Sequence, residues 1–291
     1  MIQKLVAIHL AIMLCLFNYG QDNNRGIIIS LPDEKQLSEG RYHAIIISEN
    51  EYEDESISDL AEPKNDADQL YKILLDKYNF NSSSIIRLID PTRNEVIDAL
   101  DKKRKQLAED DNLLIFYAGH GYWDEGLKMG YWFPSDARKD NKGNWLANTT
   151  LTTYINAIQA KHVLLISDAC FSGGIFKTTR SIGEMDSGLS RLYGLKSRKA
   201  ISSGNMKEVP DQSVLMRFML QQLELNNEQF LSTDQLFASI RPNVLNNSQT
   251  EPLYGVIQMT GDEGGEFVFY NSNASQEDNN ENSTALVQEI T

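Results

Sequence analysis

Asn112-Leu-Leu-Ile-Phe-Tyr-Ala-Gly-His-Gly121 and His162-Val-Leu-Leu-Ile-Ser-Asp-Ala-Cys170 decide how this chain is read. Each is an apolar run of strand length that breaks into small and polar residues. A run without polar alternation reads as a strand buried on both faces. His43-Ala-Ile-Ile-Ile-Ser48 and Ser84 to Ile89 read the same way. Between them lie helical stripes: Ala67, Leu70, Tyr71, Leu74 and Tyr78, then Val96, Ile97, Leu100 and Leu107. Thr92 and Glu95 have the spacing of a capping box at the head of the second. Leu151, Ile155 and Ile158 share one face of a further helix over Thr150 to Ile158.

Strands alternating with helices imply right-handed crossovers and a mostly parallel sheet covered on both faces. Sites in such sheets lie beyond the carboxyl ends of the strands. His120 and Cys170 each stand just past such an end, so the topology brings them to one rim although 50 residues separate them. Further on, Lys199 to Ser203 reads as a strand. Leu215, Met219 and Leu223 mark a helix, and Ser232 with Gln235 caps another. Tyr254 to Met259 and Glu266 to Tyr270 flank Gly261 to Gly265 as a hairpin would.

Composition narrows the function. The chain has 291 residues, a net charge of −14 and a pI near 4.8. An acidic surface argues against nucleic acid as a partner. Lys4 and the uncharged run Leu5 to Phe17, followed by Asn18-Tyr19-Gly20, read as a signal peptide over residues 1–20, and hence as export. A run of thirteen residues is short for a membrane span; a retained N-terminal anchor is the alternative. Residues 21–40 read as a linker and 272–291 as a disordered polar tail. The acidic stretch Asn50 to Asp59 reads as a solvated loop. Of two cysteines, Cys15 leaves with the leader, so Cys170 is the only thiol of the mature chain and no internal disulfide forms.

A thiol attacks a carbonyl only as thiolate, so Cys170 needs a base to take its proton and return it to the leaving amine. His120 is that candidate. The oxyanion needs backbone donors, for which Gly121 N–H and Cys170 N–H are placed. The glycines of Gly119-His120-Gly121 let a substrate backbone come close. His43 and His162 begin strands and read as structural.

Phe116-Tyr-Ala-Gly-His-Gly121 and Ile166-Ser-Asp-Ala-Cys-Phe-Ser-Gly-Gly174 resemble the His and Cys signatures of the caspase–metacaspase family. The resemblance runs over about residues 41–271. It takes in Pro63-Lys-Asn-Asp-Ala67, Pro252-Leu-Tyr-Gly255 and Gly264-Gly-Glu-Phe-Val268. It implies a three-layer α/β fold with about six strands, a cysteine endopeptidase with the dyad His120 and Cys170, and a polypeptide substrate. Caspases carry Gln-Ala-Cys and cleave after Asp. Metacaspases carry Asp-x-Cys and cleave after Arg or Lys. Asp168-Ala169-Cys170 resembles the second, with Asp66 as the other acid of the first-subsite pocket. Alternatives are a non-catalytic caspase-like scaffold and an Asp-specific peptidase. The stretch Ser172 to Lys199 has no period and carries Lys177, Arg180, Arg191, Lys196, Arg198 and Lys199, which suit self-cleavage. Some family members need calcium, for which Glu49 to Glu55, Asp136 and Asp140 offer carboxylates, but no spacing among them specifies a site, and no metal or cofactor is assigned. Phe171 stands where metacaspases commonly have His, and Asp211-Gln212-Ser213 where many bacterial relatives have Gly-His-Ser.

Overall fold

In the computed structural model, three strands made wholly of buried residues form the centre of a six-stranded sheet. They are β1 (Tyr42–Ser48), β3 (Asn112–Ala118) and β7 (His162–Asp168). The structure describes residues 40–169, 172–176, 189–204, 212–271 and 273–274. With β2 (Phe80–Ile89), β8 (Ser197–Ser202) and β10 (Leu253–Val256), the order is β10-β8-β7-β3-β1-β2. All pairs are parallel except β10 with β8.

Side chains alternate between the two faces with the strand period of two. Ala44, Ile46, Leu114, Phe116, Leu164, Ile166 and Ile201 pack against α1 (Pro63–Lys77), α5 (Val214–Leu225) and α6 (Thr233–Asn247). Ile45, Ile47, Leu113, Ile115, Val163 and Leu165 pack against α2 (Arg93–Gln106) and α3 (Asn148–Ala157). The expected three layers are present. Both expected capping boxes form, at Thr92 and at Ser232. A short α4 (Leu189–Tyr193) precedes β8.

Three features differ from the sequence reading. The stretch after Cys170 is partly ordered: Ser172–Ile175 is a 3-10 turn, α4 follows, and β8 begins at Ser197. The expected hairpin around Gly261 to Gly265 does not form. β10 pairs with β8, and β11 (Val268–Tyr270) pairs with β9 (Phe230–Ser232). Glu263 and Gly265 N–H groups both bond Lys196 O, which turns the chain away from self-pairing. A small antiparallel sheet of β4 (Gly121–Asp124), β5 (Met129–Trp132) and β6 (Leu146–Ala147), unforeseen, grows directly out of the His120 turn.

The expectations for residues 1–39, for most of the tail, for Lys177 and Arg180, and for Cys170 itself lie outside the described residues. Among the described residues no helix is long and apolar enough to cross a membrane.

Candidate active site

β3 and β7 are direct neighbours, with Ala118 opposite Asp168. In sequence His120 and Cys170 each follow this pair by two residues. Gly119 N–H bonds Asp168 O at 3.3 Å, which extends the ladder one step beyond the strands.

His120 is held from three sides. Its N–H donates to Tyr52 Oη at 2.9 Å, and its carbonyl accepts from Tyr117 Oη at 2.7 Å and from Phe133 N–H at 3.0 Å. The Tyr52 ring lies 5.2 Å from the imidazole. Nε2 is 2.8 Å from Ser58 O. A carbonyl can only accept, so Nε2 carries the proton and the neutral ring keeps its lone pair on Nδ1. Tyr52 and Ser58 belong to the acidic stretch read as a solvated loop. That loop is tied down: Asp90 Oδ1 accepts from Asn50 and Glu51 N–H, Asn50 Nδ2 donates to Leu60 O, and Tyr52 N–H donates to Asp59.

The glycines on either side of His120 have different reasons. A Cβ on Gly119 would sit 2.8 Å from Tyr117 Oη and 2.9 Å from Glu49 Cβ. Interior crowding, rather than substrate approach, therefore demands Gly119. Gly121 pairs with Trp132 in β5. Because the neighbouring His120–Phe133 pair carries a ladder bond, antiparallel alternation leaves Gly121–Trp132 as a non-hydrogen-bonded pair. The Gly121 N–H therefore points away from β5, as an oxyanion donor must.

Asp168 continues the Leu164–Ile166 face, toward α1 and α5, and is 8% exposed. Ser213 caps α5: its hydroxyl accepts from Met216 N–H at 3.1 Å and donates to Asp168 Oδ1 at 2.9 Å. The Ser203 hydroxyl lies close enough to favour the charged carboxylate without completing a hydrogen bond. Burial outweighs both and pushes the Asp168 carboxyl up to about 6. Ser213 also lines a cleft of about 450 Å³ between α1 and α5, together with Asp66, Asn65, Gln69 and Arg217. Asp66 and Asp168 thus reach the same Ser213 neighbourhood, one in the cleft wall and one behind it. The lining is mixed in charge: Glu62, Asp66 and Glu224 face Lys72 and Arg217.

A second buried carboxyl stands at this rim. Glu49 follows β1 on the opposite face, fully buried, and neither of its oxygens has a hydrogen-bond partner. The Ser135 N–H nearby is given to Pro91 O. Burial, reinforced by Asp90 and Asp136, raises the Glu49 carboxyl to about 10. Among the described residues no three His, Cys, Asp or Glu side chains come together as a metal site. His43 and His162 lie at the opposite end of the sheet. Both are buried and lowered by desolvation, to about 4 and about 3, as structural histidines are. Sequence reasoning missed Tyr52, Ser58 and Ser203; it noted Glu49 only among carboxylates available to calcium, and Ser213 only as part of a departure from the bacterial pattern.

A family model of the caspase domain, in the peptidase C14 family, matches residues 41–283. The chain belongs to this caspase-domain family of cysteine peptidases. Caspase-1 from Spodoptera frugiperda is similar at 15% identity and a TM-score of 0.53, over 75% of this chain and 87% of that one. The Geobacter sulfurreducens protein GSU0716 is similar at 17% identity and a TM-score of 0.52, over 77% of this chain and 98% of that one. At such identities these likenesses speak for the fold. No curated protein sequence matches.

Proposed function

We propose that the chain is an endopeptidase that works through a His120–Cys170 dyad and cleaves polypeptides after Arg or Lys. The observation that carries this reading is the Ala118–Asp168 register, from which both motif residues follow at equal distance. The Ser58 carbonyl supports the role of His120. It leaves Nδ1 to accept the Cys170 proton and remains as acceptor for the imidazolium that forms. The thiolate attacks the scissile carbonyl, and the Gly121 and Cys170 N–H groups hold the oxyanion. His120 returns the proton to the leaving amine, and water then hydrolyses the thioester.

The basic preference rests on Asp168 and Asp66. A cationic side chain entering the cleft meets Asp66 and, past Ser213, Asp168. A buried carboxylate with too few donors gains most from an added cation. Peptides ending in Arg, Lys or Asp before a fluorophore test this, with and without calcium, beside Cys170→Ala and His120→Ala. Cleavage after Arg or Lys is expected, lost in both variants. Cleavage after Asp alone would overturn the pocket assignment, and no cleavage at all would favour a scaffold. Two further parts of the reading have their own tests. Self-cleavage near Lys177 or Arg180 fails if purified Cys170→Ala protein is nicked there. Export through residues 1–20 fails if the mature N-terminus is Met1.

A further inference from the structure

The hairpin that grows out of the His120 turn is anchored on both strands that carry the motifs. Trp132 of β5 stacks on Tyr117 of β3, with ring centroids 4.0 Å apart, and its Nε1–H donates to Ser167 Oγ of β7 at 3.2 Å. On β4, Trp123 shares the face of Gly121 and lays its indole on the segment after Cys170. A Cβ on Gly174 would lie 2.3 Å from Trp123 Cζ3 and 3.1 Å from Cη2. Gly174 does not have a positive φ, so the backbone there suits any residue and only the indole demands glycine. The same segment is tied to the chain leaving β10. Gln258 Nε2–H donates to Gly174 O at 3.0 Å, Gln258 N–H donates to Ile175 O at 3.1 Å, and Phe176 bridges to Ile257. The 3-10 turn Ser172–Ile175 is thus held by the indole and by the chain after β10 together.

We propose that Trp123 is a positioning residue for Cys170, an indole spacer that fixes how far the Cys170 turn stands from the His120 turn. The inference rests on the dyad reading above. Ala169 is 1% exposed at the end of β7, and only Cys170 and Phe171 separate it from the 3-10 turn. Whatever fixes that turn therefore fixes the nucleophile between two anchors. β4 begins at Gly121, the residue after His120, so the indole sets its distance from the base itself. Proton transfer needs the thiol and the imidazole within hydrogen-bond reach. Carbon atoms pack at about 3.5–4.0 Å, so a methyl on Gly174 requires the indole and the turn to part by about 1 Å or more. A misplacement of about 1 Å can cost about a hundredfold in rate.

Gly174→Ala, Trp123→Phe and the double variant test the spacer in the Cys15→Ser chain, where Cys170 is the only thiol. The readouts are kcat and KM on the peptide that the wild type cleaves best, and the rate of Cys170 alkylation by iodoacetamide between pH 5 and pH 9. Gly174→Ala should lower kcat about a hundredfold with KM unchanged. Its alkylation midpoint should move to that of His120→Ala, because the thiol has lost its base. Trp123→Phe, with its shorter side chain, should move both readouts the same way by less. The double variant should recover most of what Gly174→Ala lost. A contact that is merely structural would lower the melting temperature and leave the midpoint of the folded protein at the wild-type value, and that result overturns the proposal. So does a double variant no better than Gly174→Ala. If Gly174→Ala does not fold, Trp123→Phe decides by the same midpoint. A His120→Ala midpoint equal to that of the wild type overturns the dyad reading, and the spacer with it.

Discussion

Asp168 and Glu49 are buried carboxyls at the ends of β7 and β1, with only β3 between them, yet their chemistry differs. Asp168 faces α5, whose capping Ser213 donates a hydrogen bond to it, and its carboxyl titrates near 6. Glu49 faces the α2 side, with no donor for either oxygen and with Asp90 and Asp136 for neighbours, and its carboxyl titrates near 10. Desolvation alone would push both up. Two hydroxyls, that of Ser213 at a helix cap first and that of Ser203 beside it, oppose burial and keep Asp168 within the range where it can be charged at neutral pH. Glu49 stays a neutral, proton-bearing group pressed against Gly119, directly beneath the His120 turn. On one rim, then, one carboxyl is kept available as a charge and the other serves as packing.

The sharpest break in this comparison is Asp168→Asn. The amide keeps the shape and can still accept from Ser213, but it cannot pair with a cation. Losing one partner of a buried charge pair costs about 3–5 kcal/mol, or about a hundredfold to several thousandfold in kcat/KM for Arg peptides. Glu49→Gln should leave the same constant within about twofold, since Glu49 is already neutral. If the two variants lost comparable activity, the division of roles between the carboxyls would be wrong.

Stability against pH reads the Glu49 side. Its folded pKa, about 10, lies above the unfolded value of 4.5. The folded state therefore keeps a proton that the unfolded state releases, and stability declines as pH rises through that interval. The slope approaches about 1.4 kcal/mol per pH unit. Urea denaturation of wild type and Glu49→Gln between pH 6.5 and 8.5 isolates it, because His43, His162 and Lys103 titrate alike in both proteins. Parallel curves would mean that Glu49 is ionised in the fold.

Binding against pH reads the Asp168 side. In Cys170→Ala protein, which removes the titration of the thiol, the affinity for an Arg-ending peptide should weaken as pH falls below about 6. The decline should approach tenfold per pH unit as Asp168 takes up a proton, and Asp168→Asn should show no such limb. Calorimetry over pH 4.5–7.5 measures both. A midpoint near 4 in the wild type would mean that burial does not raise Asp168.

Much of this was legible in the sequence because long, wholly apolar runs leave few options. β1, β3 and β7 could only be central strands, and the motif residues after two of them could only share a rim. Tyr52, Ser58 and Ser203 left no trace, since each acts through one contact made across a loop or a sheet rather than through a repeating pattern. Ser58 contributes only its carbonyl, which any residue could supply, so no residue type marks it. The false hairpin shows the converse. Gly261 and Gly264 do adopt positive φ, 70° and 84°, as the turn signal implied. The strands on either side went to β8 and β9, because those sheet edges offered longer-range partners that local sequence does not reveal.

The smallest effect belongs to the hydroxyl that lowers Asp168 most. Ser213→Ala removes the cap of α5 and the donor to Asp168 in one step. Loss of the cap should cost about 1 kcal/mol in a denaturation experiment. That alone would fit a purely structural serine. The Ser213 hydrogen bond also favours the charged form of Asp168, so its loss should move the midpoint of the binding curve upward from about 6, toward the behaviour of Glu49. Ser213→Asp is the discriminating partner, since aspartate caps a helix as well as serine but cannot donate when ionised and places a second negative charge beside Asp168. It should recover the cap's share of the stability only at a pH where one of the two carboxyls is protonated, and shift the midpoint further up than alanine does. A variant pair that recovered stability and left the midpoint at the wild-type value would detach Asp168 from the helix cap, and the contrast with Glu49 would then have to come from Ser203 beside Asp168 and from Asp90 and Asp136 beside Glu49.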